Sequence, residues 1–132
     1  MSGIRRIDTV EQLDELLEAS GETPVWIFKH SLTCGTSAYA YREFQRFAES
    51  RAQAHGDAQG EDGGTGGEGS GTGMLFALVE IQRARPVSAA VAERTGVVHQ
   101  SPQALLVRGA VVTWHASHRQ IRETALREAS GN

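Results

Sequence analysis

Trp26-Ile27-Phe28-Lys29-His30-Ser31-Leu32-Thr33-Cys34-Gly35-Thr36-Ser37 is the stretch around which the rest of the chain can be ordered. Pro24 opens the apolar run Val25–Phe28, whose length and lack of alternation suit a strand buried on both faces. Cys34, the sole cysteine, follows that run. Beyond it Ala40, Tyr41, Phe44, Phe47 and Ala48 form a stripe that predicts a helix over about residues 36–50. A thiol at a strand-to-helix junction meets unpaired backbone N–H groups and the positive end of the helix dipole, which favour the thiolate. The thiolate is the nucleophile, so the stretch reads as a site of thiol–disulfide chemistry.

The neighbouring elements follow from periodicity and caps. Val10, Leu13, Leu16 and Leu17 predict a helix over residues 9–20, with Thr9 and Gln12 as a capping box and Gly21 as the stop. Met74–Ile81 is a second buried strand. Pro86 opens a short helix carrying Val87, Ala90 and Val91, which Gly96 closes. Ala104–Val107 and Ala110–Trp114 flank the turn Arg108-Gly109 as a hairpin. Ser117 and Gln120 cap a last helix with Ile121 and Ala125. Helix, βαβ, helix, ββ hairpin, helix is the thioredoxin-like α/β order. It predicts a four-stranded mixed sheet with the Val25–Phe28 strand central, flanked by helices and preceded by an extra N-terminal helix.

A length of 132 residues predicts one domain, 1–132. Residues 52–73 differ in kind: from Gly56 to Gly73 nine of eighteen residues are glycine, interspersed with Asp57, Glu61, Asp62 and Glu68. That composition predicts a flexible acidic insertion between the active-site helix and the second strand. It lacks the Gly-Lys-Ser/Thr ending of a phosphate-binding loop. A formal net charge of −3 provides no basic footprint for nucleic acid. Met1–Arg6 is not followed by the apolar stretch of a secretory signal, and no run approaches the ~20 apolar residues of a membrane span. One cysteine cannot form an internal disulfide, which suits a reducing compartment. The expectation is a soluble cytoplasmic protein with neither nucleic-acid nor membrane partners.

Cys34-Gly35-Thr36-Ser37 has Cys-x-x-Ser spacing, which lets Ser37 look back toward the sulfur but leaves no second thiol to resolve a mixed disulfide. In this element order a proline, usually cis, precedes the third strand opposite the cysteine. Ser101-Pro102 stands there, with Ser101 placed to offer its backbone to an extended substrate. Lys29 is the only lysine beside twelve arginines. Turned toward Cys34 it would favour the thiolate, but alternation alone leaves its direction open. His30 and His99 flank the two site loops, whereas His55 lies in the glycine-rich segment and His115 and His118 around the last turn. One cysteine and scattered histidines lack the spacing of a metal site. Two other cysteine chemistries fail on spacing. A Cys-x5-Arg loop needs arginine where Ala40 stands, and a peroxidase Pro-x-x-x-Ser/Thr-x-x-Cys site needs proline where Ile27 stands.

Lys29-His30-Ser31-Leu32-Thr33-Cys34 with Ser37, Arg85-Pro86-Val87-Ser88, His99-Gln100-Ser101-Pro102-Gln103 and Trp114-His115-Ala116-Ser117-His118 together resemble the monothiol bacilliredoxins, the YtxJ-like thioredoxin-like proteins of the bacillithiol system. The resemblance covers nearly the whole chain outside the glycine-rich segment. It implies removal of bacillithiol from S-bacillithiolated proteins, with Cys34 as nucleophile and Lys29, His30, Thr33 and Ser37 supporting it. His99, Ser101 and Pro102 would face the substrate. It implies bacillithiol as co-substrate, no tightly bound cofactor, and free bacillithiol or a second oxidoreductase as the resolving thiol. The family usually carries Thr-Cys-Pro-Ile-Ser and Glu-Ser-Pro; here Gly35-Thr36 and Gln100 replace Pro-Ile and Glu, which loosens the helix start. The alternative is a thioredoxin-like binding or redox-sensing module without turnover.

Overall fold

The computed structural model describes residues 3–58 and 73–131, with backbone alone for 52–58. In chain order the elements are β1 (Ile4–Arg6), α1 (Val10–Ala19), β2 (Val25–His30), α2 (Gly35–Ala58), β3 (Leu75–Glu80), α3 (Arg85–Thr95), β4 (Gln103–Arg108), β5 (Val111–Ser117), a 3-10 turn (His118–Gln120) and α4 (Glu123–Ala129). They build one mixed sheet in the order β1-β3-β2-β4-β5. β2 runs parallel to β3, with Phe28 opposite Leu78, and antiparallel to β4, with Phe28 opposite Ala104.

The sheet therefore has five strands rather than four. The added strand, β1, pairs parallel with β3 from the edge. It escaped the hydrophobic pattern because Ile4-Arg5-Arg6 is short and largely exposed, as edge strands tend to be. Ile7 follows it into the core, and its N–H donates to Leu78 O at 2.8 Å.

Alternation along β2 sorts the core. Trp26 and Phe28 join Phe44, Phe47, Phe76, Leu106, Ile121 and Leu126 on the face covered by α2 and α4. Val25 and Ile27 join Leu13, Leu16, Val79, Val87, Val91 and Leu105 on the face covered by α1 and α3. Trp26 meets Phe47 and Trp114 edge-on, with ring centroids 5.7 and 5.6 Å away, and its indole N–H donates to Ser130 Oγ at 3.1 Å. The buried polar tip thus has its partner.

Caps set several boundaries. Thr9 and Gln12 close the expected capping box, and Gly96 ends α3 at φ +74°. α1 ends at Ala19, with Ser20 as its C-cap one residue before Gly21. The hairpin turns through Gly109 and Ala110, both at positive φ (60° and 64°), the conformation a tight right-twisting hairpin requires. Two expectations change. α2 runs to Ala58, so residues 52–58, assigned above to the flexible insertion, are helical; the rest of that segment, 59–72, lies outside the described residues. Ser117 and Gln120 form their capping box around a 3-10 turn, and Ile121 then breaks to extended backbone before α4 starts at Glu123. No helix among the described residues is long and apolar enough to cross a membrane.

Candidate functional site

Strand directions gather the site at one end of the sheet. β2 and β3 are parallel and finish there, while β4, antiparallel to β2, begins there and β5 returns to it. The segments Ser31–Thr33, Ile81–Ala84, Gln100–Pro102 and His118–Arg122 therefore share that end. Cys34 enters it half-buried and as a free thiol. Its C=O accepts the first bond of α2 from Ala38 N–H at 3.1 Å, so Cys34 occupies the N-cap. The N–H groups of Gly35, Thr36 and Ser37 are left without intrahelical acceptors.

Ser37 is fully buried and does not turn its hydroxyl to the sulfur as Cys-x-x-Ser spacing led us to expect. Its Oγ accepts the Ser31 N–H at 2.9 Å and lies 2.8 Å from His30 Nδ1. Ser37 thus latches the first turn of α2 to the end of β2. His30 alternates onto the α2 face, where its ring stacks on Tyr41 at 4.8 Å and packs beside Phe28. Burial lowers the His30 pKa, opposed by the charge of Glu80, which favours the neutral imidazole beside Ser37. No hydrogen bond among the described residues reaches Cys34 Sγ.

Lys29 points the other way, onto the α1/α3 face. Fully buried, its Nζ lies 3.0 Å from His99 Nδ1, and Ser88 Oγ is 3.5 Å from the same nitrogen. Removal from water pushes the Lys29 pKa down to about 8. Desolvation and the Lys29 charge both lower that of His99. At neutral pH the ammonium donates and His99 accepts, which makes Nε2 the protonated ring nitrogen. His99 is thereby tied to the strand interior. Its exposed side lines a cavity of about 440 Å3 with Gln82, Arg85 and Ser88.

Gln82 was missed from the sequence. Its Oε1 accepts the Leu32 N–H at 2.9 Å, and its Nε2 donates to Ser31 Oγ at 3.1 Å and Thr33 Oγ1 at 3.4 Å. One amide side chain thus holds the loop that delivers Cys34. No local sequence pattern marks it: Gln82 reaches the loop because β2 and β3 end side by side, with His30 opposite Glu80. Thr33 is exposed, and its hydroxyl joins this cluster.

The Ser101–Pro102 peptide bond is cis. Pro102 O accepts the N–H of His118 at 3.1 Å, tying this loop to the turn after β5. Gln103, fully buried, accepts the Gln100 N–H at 3.4 Å and donates to Val98 O at 3.0 Å. The backbone N–H and C=O of Ser101 make no hydrogen bond among the described residues, and its buried Oγ has no partner there. Beside Cys34, a second cavity of about 440 Å3 is lined by Gly35, Thr36, Tyr39, Arg119 and Arg122; the last three were also missed. Among the described residues no group of three or more His, Cys, Asp or Glu is placed to hold a metal.

A half-buried thiol thus sits at a helix start, with the unbonded backbone of Ser101 at the same sheet end. The family model for monothiol bacilliredoxin BrxC matches residues 5–57 and 68–126. Among solved structures, a proposed oxidoreductase with a thioredoxin fold is 25% identical, with a TM-score of 0.76 over 97% of this chain and 94% of that one. Thioredoxin from Trypanosoma brucei brucei is 14% identical, with a TM-score of 0.67 over 96% and 87% of the two chains. The short form of thioredoxin f from spinach chloroplast is 12% identical, with a TM-score of 0.64 over 97% and 90%. The latter two share the fold alone.

Proposed function

The chain belongs to the monothiol bacilliredoxin family, and from that premise we propose that it removes bacillithiol from S-bacillithiolated proteins by thiol–disulfide exchange at Cys34. The observation that carries the reading is the pairing of a half-buried N-cap thiol with the unbonded Ser101 backbone at one sheet end.

The Cys34 thiolate attacks the bacillithiol sulfur of the mixed disulfide. The bond between that sulfur and the target cysteine breaks, a Cys34–bacillithiol disulfide forms, and the target leaves as a thiolate that takes a proton from water. Two electrons pass from Cys34 to the target thiol. The free N–H and C=O of Ser101 pair with an extended target segment in the manner of an added strand. No second cysteine exists in the chain, so an external thiol, free bacillithiol or a partner oxidoreductase, attacks the adduct and restores Cys34. Ser37, His30 and Gln82 act as positioning residues, because each bonds the loop or helix turn that bears Cys34.

The test is release of free target thiol from an S-bacillithiolated protein in the presence of excess bacillithiol. Multiple turnovers by the wild type and none by Cys34→Ser support the proposal. Equal release with and without Cys34, or binding of the target without release, overturns it.

A further inference from the structure

We propose that the cavity beside Cys34 bordered by Arg119 and Arg122 is the recognition site for carboxylates on the small-thiol half of the mixed disulfide, and that it sets a preference for anionic over neutral or cationic thiols. The inference rests on thiol exchange at Cys34 and adds the class of ligand.

Placement comes first. Gly35 and Thr36, the two residues after the nucleophile, form one wall of this cavity, with Tyr39 one turn further on. Cys34 itself is not among the lining residues; it adjoins this wall through Gly35. Gly35 and Thr36 also carry backbone N–H groups without intrahelical acceptors at the start of a 24-residue helix.

The charge of the opposite wall comes next. Arg119 and Arg122 are exposed, and neither forms an ion pair among the described residues. Their one mutual contact is from Arg122 Nε to the backbone O of Arg119 at 3.3 Å. Glu43 and Glu123, around the start of α4, are engaged elsewhere. Glu43 accepts the Glu123 N–H at 2.9 Å and faces Arg46 at 3.3 Å, while Glu123 pairs with Arg127 at 2.7 Å. No acidic residue lines the cavity. Two guanidiniums left uncompensated in a chain of net charge −3 form a local cationic wall, and their planar donors match carboxylates. Tyr39, 49% exposed, supplies a phenol on the same surface.

Finally, the wall is fixed to the site. His118, at φ +55°, turns the chain out of β5, and its N–H is held by Pro102 O. The arginines are therefore anchored through the loop that lies at the nucleophile's end of the sheet.

The reaction that reads this out is one exchange step on small symmetric disulfides. The Cys34 thiolate attacks one sulfur, the S–S bond breaks, a mixed disulfide forms on Cys34, and the other half departs as a thiolate that is protonated. Reduced full-length protein is mixed with mercaptosuccinate disulfide (anionic), 2-hydroxyethyl disulfide (neutral) or cystamine (cationic), and adduct formation is followed by intact mass. Each rate is divided by that of a free small thiol with the same disulfide. The normalised wild-type rates should fall in the order anionic, neutral, cationic, with about tenfold between the extremes, and the spread should shrink as salt is raised toward about 1 M. Arg119→Glu with Arg122→Glu should reverse the order, which damage to the fold would not do, and the double lysine variant should keep part of it. A wild type that reacts with all three at equal normalised rates at low salt overturns the inference, including the case in which the arginines meet acidic side chains of a protein target. An unreversed order in the glutamate variant also overturns it. A wild type inert to all three disulfides instead overturns thiol exchange itself.

Discussion

Ser37 Oγ lies 2.8 Å from His30 Nδ1 while accepting the Ser31 N–H at 2.9 Å, so one hydroxyl joins the last residue of β2, the loop after it and the first turn of α2. Removing it leaves a buried N–H and a ring nitrogen unpaired. Ser37→Ala should therefore destabilise the protein by about 1–3 kcal/mol, read as a lower urea midpoint at unchanged m-value. An unchanged midpoint would mean that the latch contributes nothing.

The Lys29–His99 pair predicts a pH signature. Below about pH 8 both folded and unfolded chains carry a protonated Lys29, and the cost of burying its charge is present in full. Between about 8 and the ordinary lysine value of 10.5, the unfolded chain binds more protons than the folded one, so this group makes stability rise with pH. Lys29→Met lacks that rise. Urea midpoints across this window should converge on those of the variant or overtake them, by at most about 1.4 kcal/mol per pH unit. Parallel profiles would contradict the assignment. The same substitution should move the His99 titration upward, because a nearby positive charge is lost, and an imidazole NMR titration reads this directly.

Gly35 stands where the family usually has proline. Its φ is not in the left-handed region, and a Cβ built there meets nothing within 4 Å. Glycine here adds only unfolded-state freedom. Gly35→Ala should stabilise by about 0.4–1 kcal/mol, raising Tm by about 1–4 °C. A lower Tm would show that the loop needs glycine.

Gln82 should govern the order of the loop before Cys34. Gln82→Ala removes the acceptor for the Leu32 N–H, so hydrogen exchange at that amide should quicken by about tenfold or more, with β2 amides unchanged. Equal protection in the two proteins would remove Gln82 from the positioning set.

What the sequence made legible follows from where local signals exist. Val25–Phe28 and Met74–Ile81 are uninterrupted apolar runs, and the Thr9–Gln12 box is a local pattern, so element order and the place of Cys34 could be read directly. β1 could not, because three residues with one apolar side chain carry no periodicity; only pairing with β3 makes them a strand. The direction of Lys29 was open for a similar reason. Alternation fixes that Lys29 and His30 face opposite ways, but the packing of α2 decides which faces the helix. Ser37 matched a spacing pattern, whereas its actual partners are His30 at the end of β2 and Ser31 in the loop after it. Gln82, Tyr39, Arg119 and Arg122 were silent, since they reach the site only through strand register and the return of β5.

The most direct test of the central claim is intact-mass spectrometry of the reduced protein after mixing with an S-bacillithiolated target, alongside the same target S-glutathionylated. The account predicts transfer of one bacillithiol to Cys34 with release of an equal amount of target thiol, little transfer from the glutathionylated form, and none to Cys34→Ser. A folded, reduced protein whose Cys34 stays unmodified while the target keeps its bacillithiol would contradict it.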